Sequence, residues 1–484
     1  MSWGLRRISL APVGLACAMA AAVSPEAHAR RLEAGRVTTL DTFATAAFTS
    51  VTFQQPFDTI PVVVSLPTTQ GGDSSALRIR NVTTTGFEIA AVEPTGNDGP
   101  HVSMTVDYVA MEPGILTLPG GGVAVAGFHT TSTVQRAGVV GGPSGWDAIG
   151  FGTALPATAA VIADIQTMNS ETGAPPGAPS IPWLTVVMRN PTTSGVEIAL
   201  ERSEVSAGSV APETIGWIAF PQGLSGAFSG VNGGSVSWRA SGAPTNIVGY
   251  ANTCVTNVFS PTAWTSARVV AAKTSRNGSD GGWLRRCSLS STTIGLQVDE
   301  DIANDSDRSH IAEAAAILAF SDSFHATFEG DLTAAKTVSI EEDPVTGAGA
   351  AYAIPGARAR YAIRVDSVGN APIDADTVSF VDAIPADVSM IVADIGVAGS
   401  GPVRFLDGTP SSNLTYAFGG LSDPSDDLEF SNDGGLTFTY TPTAQTDGSD
   451  PAVTHIRVQP KGAFAEAAGG ATPYFVLEFD ALVR

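Results

Sequence analysis

Two histidines stand at one spacing from a glycine that recurs in the chain. His101 follows Gly86 by 15 residues and His310 follows Gly295 by 15, while Val210 holds that place after Gly195. An imidazole beside a polar loop (Asn97 and Asp98; Asp307 and Arg308) can donate to and accept from the hydroxyls of a sugar, or it can simply fix its own turn. Carboxylates follow the same glycines, at Glu93, at Glu201 and from Asp299 to Asp301. Such groups can chelate hydroxyls or hold a calcium ion, and a solvated strand face accounts for them equally well. Arg78 and Arg80 are two apart and so share a strand face opposite Leu77 and Ile79. Together with Arg285, these residues make the candidate ligand-binding set Arg78, Glu93, His101, Arg285 and His310. Trp183, Trp217, Trp238, Trp264 and Trp283 are suited to stacking on pyranose rings or, more economically, to filling a core.

Catalytic chemistry finds no foothold. The chain has no G-x-S-x-G elbow, no H-E-x-x-H, no phosphate-binding loop and no histidine pair at metal-ligand spacing. No catalytic residue, resident metal or cofactor is assigned, with calcium the one ion the carboxylates admit. A glycosidase needs only two carboxylates in a cleft, which a sequence does not exclude. Repetition argues for binding instead, because copies of one unit suit multivalent attachment better than a single asymmetric active site.

The elements that must position these residues are repeated. RNVTTTGFEI (Arg80 to Ile89), RNPTTSGVEI (Arg189 to Ile198) and SSTTIGLQV (Ser290 to Val298) are copies of one phrase, and each glycine precedes a second phrase by 22 residues. Those second phrases are Tyr108-Val109-Ala110, Trp217-Ile218-Ala219 and Ile317-Leu318-Ala319. A constant separation predicts one supersecondary unit in three copies. Short apolar runs such as Val62-Val63-Val64, bounded by Gly, Pro, Asn and Ser, predict strands and little helix. Gly86 is expected to supply a backbone conformation that side chains resist. The Gly/Pro-rich stretch from Met168 to Pro182 predicts a surface loop. From Gly330 the pattern changes to alternating strands at Lys336–Ile340, Ala359–Val365, Thr377–Val381, Leu436–Tyr440, His455–Val458 and Phe475–Leu482, which suggests an immunoglobulin-like sandwich.

Residues 1–29 have the form of a secretory signal: Arg6 and Arg7, an apolar run through Ala22, and Ala27-His28-Ala29. Cys17 offers a lipoprotein alternative, but Gly14 stands where such signals favour leucine. Without that segment the chain carries 23 basic and 46 acidic side chains. So negative a field disfavours nucleic acid and anionic membrane surfaces, and no later segment is apolar enough to insert as a helix. Cys254 and Cys287 are then most simply one disulfide, with two buried thiols the alternative.

A Pro-Val-Val-Val strand, a TGF step and a closing His-x6-Tyr-Val-Ala-x-Glu strand (Pro61 to Ser65; Thr85 to Phe87; His101, Tyr108 and Glu112) resemble the H-type lectin domain. The resemblance covers most of the first copy and less of the other two. It implies compact antiparallel sandwiches that bind sugars, commonly as trimers. Family agglutinins use an arginine before the TGF step, a role open to Arg78 or Arg80, and a Trp-His pair after it. Here Glu93-Pro94-Thr95 stands at the later place, so amino-sugar specificity does not carry over. YAIPGARARYAIRVDSVGNAP (Tyr352 to Pro372) and FSNDGG (Phe430 to Gly435) resemble Ig-like repeats of bacterial surface proteins, usually spacers.

The expected architecture is therefore all-β: tandem antiparallel sandwiches, with a signal peptide at 1–29, lectin-like modules at 30–118, 119–225 and 226–329, and an Ig-like domain at 330–484. The expected role is an exported, non-catalytic, multivalent glycan-binding protein of the cell surface or medium. Its three modules would imitate, within one chain, the trimer that separate H-type chains build. A structural or adhesive surface spacer without sugar binding is the alternative.

Overall fold

The computed structural model describes residues 29–119, 122–171, 177–349, 351–468 and 470–484; the signal-like segment to residue 28 and residues 172–176 of the Gly/Pro-rich stretch lie outside them. The fold is all-β, with a 3-10 turn at Gly138–Val140 and no α-helix among the described residues. Contacts divide it into two compact units, Ala29–Phe328 and Glu329–Arg484.

In the first unit, one strand plan recurs. The first copy runs β1 (Arg30–Thr38), β2 (Thr49–Thr52), β3 (Val62–Ser65), β4 (Ala76–Arg80), β5 (Gly86–Val92), β6 (Thr105–Met111) and β7 (Gly114–Leu118). The second runs β8 (Gly122–Thr131), β9 (Val134–Gln135), β10 (Asp147–Gly150), β11 (Ala159–Ile165), β12 (Thr185–Arg189), β13 (Gly195–Glu201), β14 (Glu213–Pro221) and β15 (Ser225–Ser229). In the third come β16 (Ser235–Ile247), β17 (Val255–Val258), β18 (Arg268–Lys273), β19 (Trp283–Leu289), β20 (Thr293–Asp299), β21 (Glu313–Phe320) and β22 (Phe324–Phe328). Three-stranded sheets β2-β5-β4, β10-β13-β12 and β17-β20-β19 face four-stranded sheets β22-β1-β6-β3, β7-β8-β14-β11 and β15-β16-β21-β18. Each four-stranded sheet is thus completed by the last strand of the preceding copy. The cycle closes where β22 pairs with β1, Phe328 opposite Arg30 and Phe324 opposite Ala34.

Strand periodicity explains the close association. Val63, Val161 and Val269 share one register position, opposite Ala110, Ala219 and Ala319, and each fills the core of its own copy. Their neighbours Val64, Ile162 and Val270 point to the other face and are also fully buried, because β3, β11 and β18 pack on one another. A sheet apolar on both faces cannot stand alone in water.

Two expectations about the repeated turn are corrected. The left-handed residues are Asn81 and Asn190 (φ 50° each), not the glycines. Gly86 and Gly195 are required instead by close approach, since a Cβ there would run into the Val51 or Ile149 carbonyl. In the third copy, Thr293 occupies the glycine's register: it pairs with Val258 as Gly86 pairs with Thr52, and its carbonyl closes the turn onto Ser290. Gly295 stands two residues further along β20, past a register shift between Arg286 and Ser288, and faces away from the core against the Cys254 and Cys287 sulfurs, which are joined in a disulfide.

The second unit contains β23 (Leu332–Glu342), β24 (Arg358–Ser367), β25 (Phe380–Ala383), β26 (Val388–Ile391), β27 (Val403–Asp407), β28 (Leu428–Ser431), β29 (Ser449–Asp450), β30 (His455–Val458) and β31 (Tyr474–Val483). One sheet is ordered β23-β24-β31-β26-β29, with β27 also on β31, and the other β25-β30-β28. Leu436–Tyr440 is not a strand. Asp433 accepts the backbone N–H groups of Leu436 and Thr437 and folds that segment into a turn, leaving Leu436 exposed.

Candidate functional site

Alternation along β4 and β19 puts Arg78 opposite Ala90 and Arg285 opposite Gln297, on the face of each strand that meets a neighbouring copy. Arg78 is 2 % exposed and its Nε lies 2.6 and 2.8 Å from the Glu171 carboxylate oxygens, in the second copy. Its guanidinium lies over Trp183, which packs against Trp283 of the third copy at 4.8 Å. Arg285 is fully buried, pairs with Asp299, and donates to the Thr68 carbonyl (2.7 Å) and the Asp73 carbonyl in the first copy. Arg286 reaches Asp107 (3.0 Å), and Arg276 reaches Glu201 (2.7 Å). At each junction an arginine of one copy is spent on its neighbour.

His101 and His310 occupy comparable places: each ring lies over a glycine of a facing loop, Gly71 and Gly278 respectively. Both are internal. His101 bonds Ser75 Oγ (3.1 Å) and the Val102 carbonyl (2.8 Å), and burial lowers its pKa. His310 lies between Glu300 and Glu313. Burial opposes its protonation, but hydrogen bonds to both carboxylates outweigh that and raise its pKa. Burial acts against Glu313 as well, yet His310, Lys273, Ser275 and Gly278 hold it down at about 2.

Glu93 is fully buried, and desolvation pushes its pKa up to about 7 despite a bond from the Gly99 N–H (3.0 Å). The five candidates therefore sit apart, Arg78, Glu93 and Arg285 at junctions between copies and His101 and His310 inside their own copies, and none presents its side chain to bulk water. No three His, Cys, Asp or Glu side chains form a metal-ligating group among the described residues.

Two concavities of this unit bear on ligand binding. The first lies where the three copies meet, lined by residues such as Leu66, Arg78, Asp164, Ala272, Lys273 and Trp283, and measures about 60 Å³. That is room for a few waters, not for a sugar ring. Asp164 lines it and accepts the Ser65 N–H (2.7 Å); burial pushes its pKa up to about 7. Lys273, whose Nζ donates to the Gly281 carbonyl (3.0 Å), has its pKa lowered by burial.

An open cleft of about 550 Å³ in the second copy is large enough for a saccharide, and Ser132, Thr133, Ser144 and Ser209 line it with Arg136 and Arg202. Arg202 donates to the Val205, Ala207 and Gly208 carbonyls (2.6, 2.5 and 2.8 Å), so a ring of backbone fixes its guanidinium. Burial and the Arg136 charge lower its pKa. Neither arginine has a carboxylate partner among the described residues, although acidic side chains outnumber basic ones 47 to 25 in the chain. Sequence reasoning missed this cleft. Its signal was available: Arg202 stands seven residues after Gly195, where the first copy has Glu93 seven after Gly86.

Comparison with family models, with curated proteins and with solved structures finds no match.

Proposed function

We propose that the chain is an exported, non-catalytic carbohydrate-binding protein whose three lectin-like copies act as one intramolecular trimer. The cleft beside Arg136 and Arg202 would take the ligand. Hydroxyl-bearing side chains suit sugar hydroxyls, and two guanidinium groups without carboxylate partners favour a glycan carrying a carboxylate or sulfate group. This pair of uncompensated cations in an acidic protein is the observation that carries the reading.

A second reading is favoured by the burial of Arg78, Glu93, His101, Arg285 and His310. Side chains spent on internal contacts make a rigid block, as an adhesive or structural spacer without sugar binding requires. A glycan array of neutral, uronate-bearing and sulfated glycans separates the two. The lectin reading expects acidic glycans to be retained and Arg136→Ala, at an exposed position, to lose them. An array blank at high protein concentration leaves the spacer.

A further inference from the structure

The loop after β5 buries more unpaired oxygen than a folded protein normally tolerates. Glu93 Oε1, Thr95 Oγ1 and Asn97 Oδ1 are shut off from solvent without a hydrogen-bond partner, and so is Ser180 Oγ of the second copy. Ser180 is held beside them, its N–H donating to the Glu93 carbonyl (2.7 Å) and its backbone bridging Pro94. The Asp98 carboxyl lies within hydrogen-bonding reach of Glu93. Two carboxylates face to face are acceptors only, and they repel unless a proton or a cation stands between them. One shared proton would answer the carboxylates and leave the amide oxygen without a donor. A cation set among them would serve the carboxylates, the amide oxygen and the hydroxyl oxygens together.

We propose that this loop is a calcium site, with Glu93, Asp98, Asn97 and Thr95 as side-chain ligands and Ser180 closing it from the second copy. Hard carboxylate, amide and hydroxyl oxygens on an irregular loop are the donor set calcium accepts, whereas magnesium demands a stricter octahedron and holds its own water. Gly96 and Gly99 adopt φ of 107° and 101°, and added Cβ atoms would meet Ile302 of the third copy and Ala178 of the second. The loop is therefore wedged among all three copies. An ion bound there would pin the first copy to the second, independently of whether any sugar binds.

The test is calorimetric titration of calcium chloride into the full-length mature protein after dialysis against EDTA, with magnesium chloride as comparison. Saturable calcium binding is expected, weakened about tenfold or more in Asp98→Asn and in Glu93→Gln as ligand charge is removed. Asp98 is exposed, so its substitution leaves folding intact even if Glu93→Gln does not. Bound calcium should also raise the thermal midpoint followed by tryptophan fluorescence. No calcium heat in the wild-type protein, or affinity unchanged in Asp98→Asn, overturns the proposal.

Discussion

The two units differ in what governs most of their perturbed carboxylates. In Ala29–Phe328 desolvation wins at most of them: Glu93, Asp164 and Glu204 are pushed up to about 7 and Asp301 to about 6, although hydrogen bonds hold buried Glu313 down. In Glu329–Arg484 most are turn aspartates at which hydrogen bonds win, although burial pushes Asp382 up. Thr346 hydrogen-bonds Asp343, and Thr437 with Ser431 hydrogen-bonds Asp433, holding both well below the usual carboxylate range. The difference follows from construction. Three copies folded onto one another trap polar groups between them, whereas a single sandwich leaves its turns in water.

The sharpest way to break this comparison is to orphan one trapped charge. Glu171→Ala leaves the Arg78 guanidinium buried without its partner, a change expected to cost about 3–5 kcal/mol. Urea unfolding followed by tryptophan fluorescence measures it selectively, because every tryptophan after residue 28 lies in Ala29–Phe328. A loss below about 1 kcal/mol, the level of an exposed pair, would remove the distinction between the units.

Next in size is the disulfide. Cys254 and Cys287 are 33 residues apart, and opening that loop is expected to cost about 3–4 kcal/mol on the chain-entropy model. Replacing both by serine should lower the same fluorescence transition. If the midpoint does not move, the copies already restrain the loop by packing alone.

Proton linkage separates the units by sign. A carboxyl whose folded pKa is raised favours the folded state most when protonated. That advantage is lost as pH climbs from about 4, where the unfolded chain ionises, to about 7, where the folded groups do. The tryptophan-bearing unit should therefore become more resistant to urea between pH 8 and pH 5.5. Asp164→Asn, which keeps an acceptor for the Ser65 N–H, should gain on the order of 2 kcal/mol at pH 8 and flatten the profile. A profile unchanged by that substitution would show that water in the cavity where the three copies meet solvates the carboxylate.

What was legible in the sequence follows the same divide. The all-β class, the Val62–Val64 strand and the Tyr108 strand were readable because short-range alternation and turn residues act locally. The environment of Arg78 was not. Alternation says that Arg78 and Leu77 face opposite ways, but not that the second face is covered by another copy and by Glu171, 93 residues away. Glu93, beside Ser180 of the second copy, shared this fate, and His101 and His310 were hidden by loops of their own copies. Arg202 was legible in principle, as the basic residue at the first copy's acidic position, yet its meaning depends on Arg136, which only folding brings beside it.

The smallest expected effect lies in the second unit, at Asp433. Its carboxylate caps a turn by accepting the N–H groups of Leu436 and Thr437 (3.0 Å each) and the Thr437 hydroxyl (2.7 Å). A depressed folded pKa means stabilisation present above about 4 and lost as pH falls further, so the contribution of this turn should be indifferent between pH 8 and pH 5.5. Asp433→Ala should leave the tryptophan transition untouched and speed hydrogen exchange at the Leu436 and Thr437 amides, which lose their acceptor. Exchange there unchanged by the substitution would mean that the turn is held by the Gly434 and Gly435 backbone, at φ of 80° and 83°, rather than by the carboxylate. The contrast between trapped and exposed acids would then survive only in the first unit.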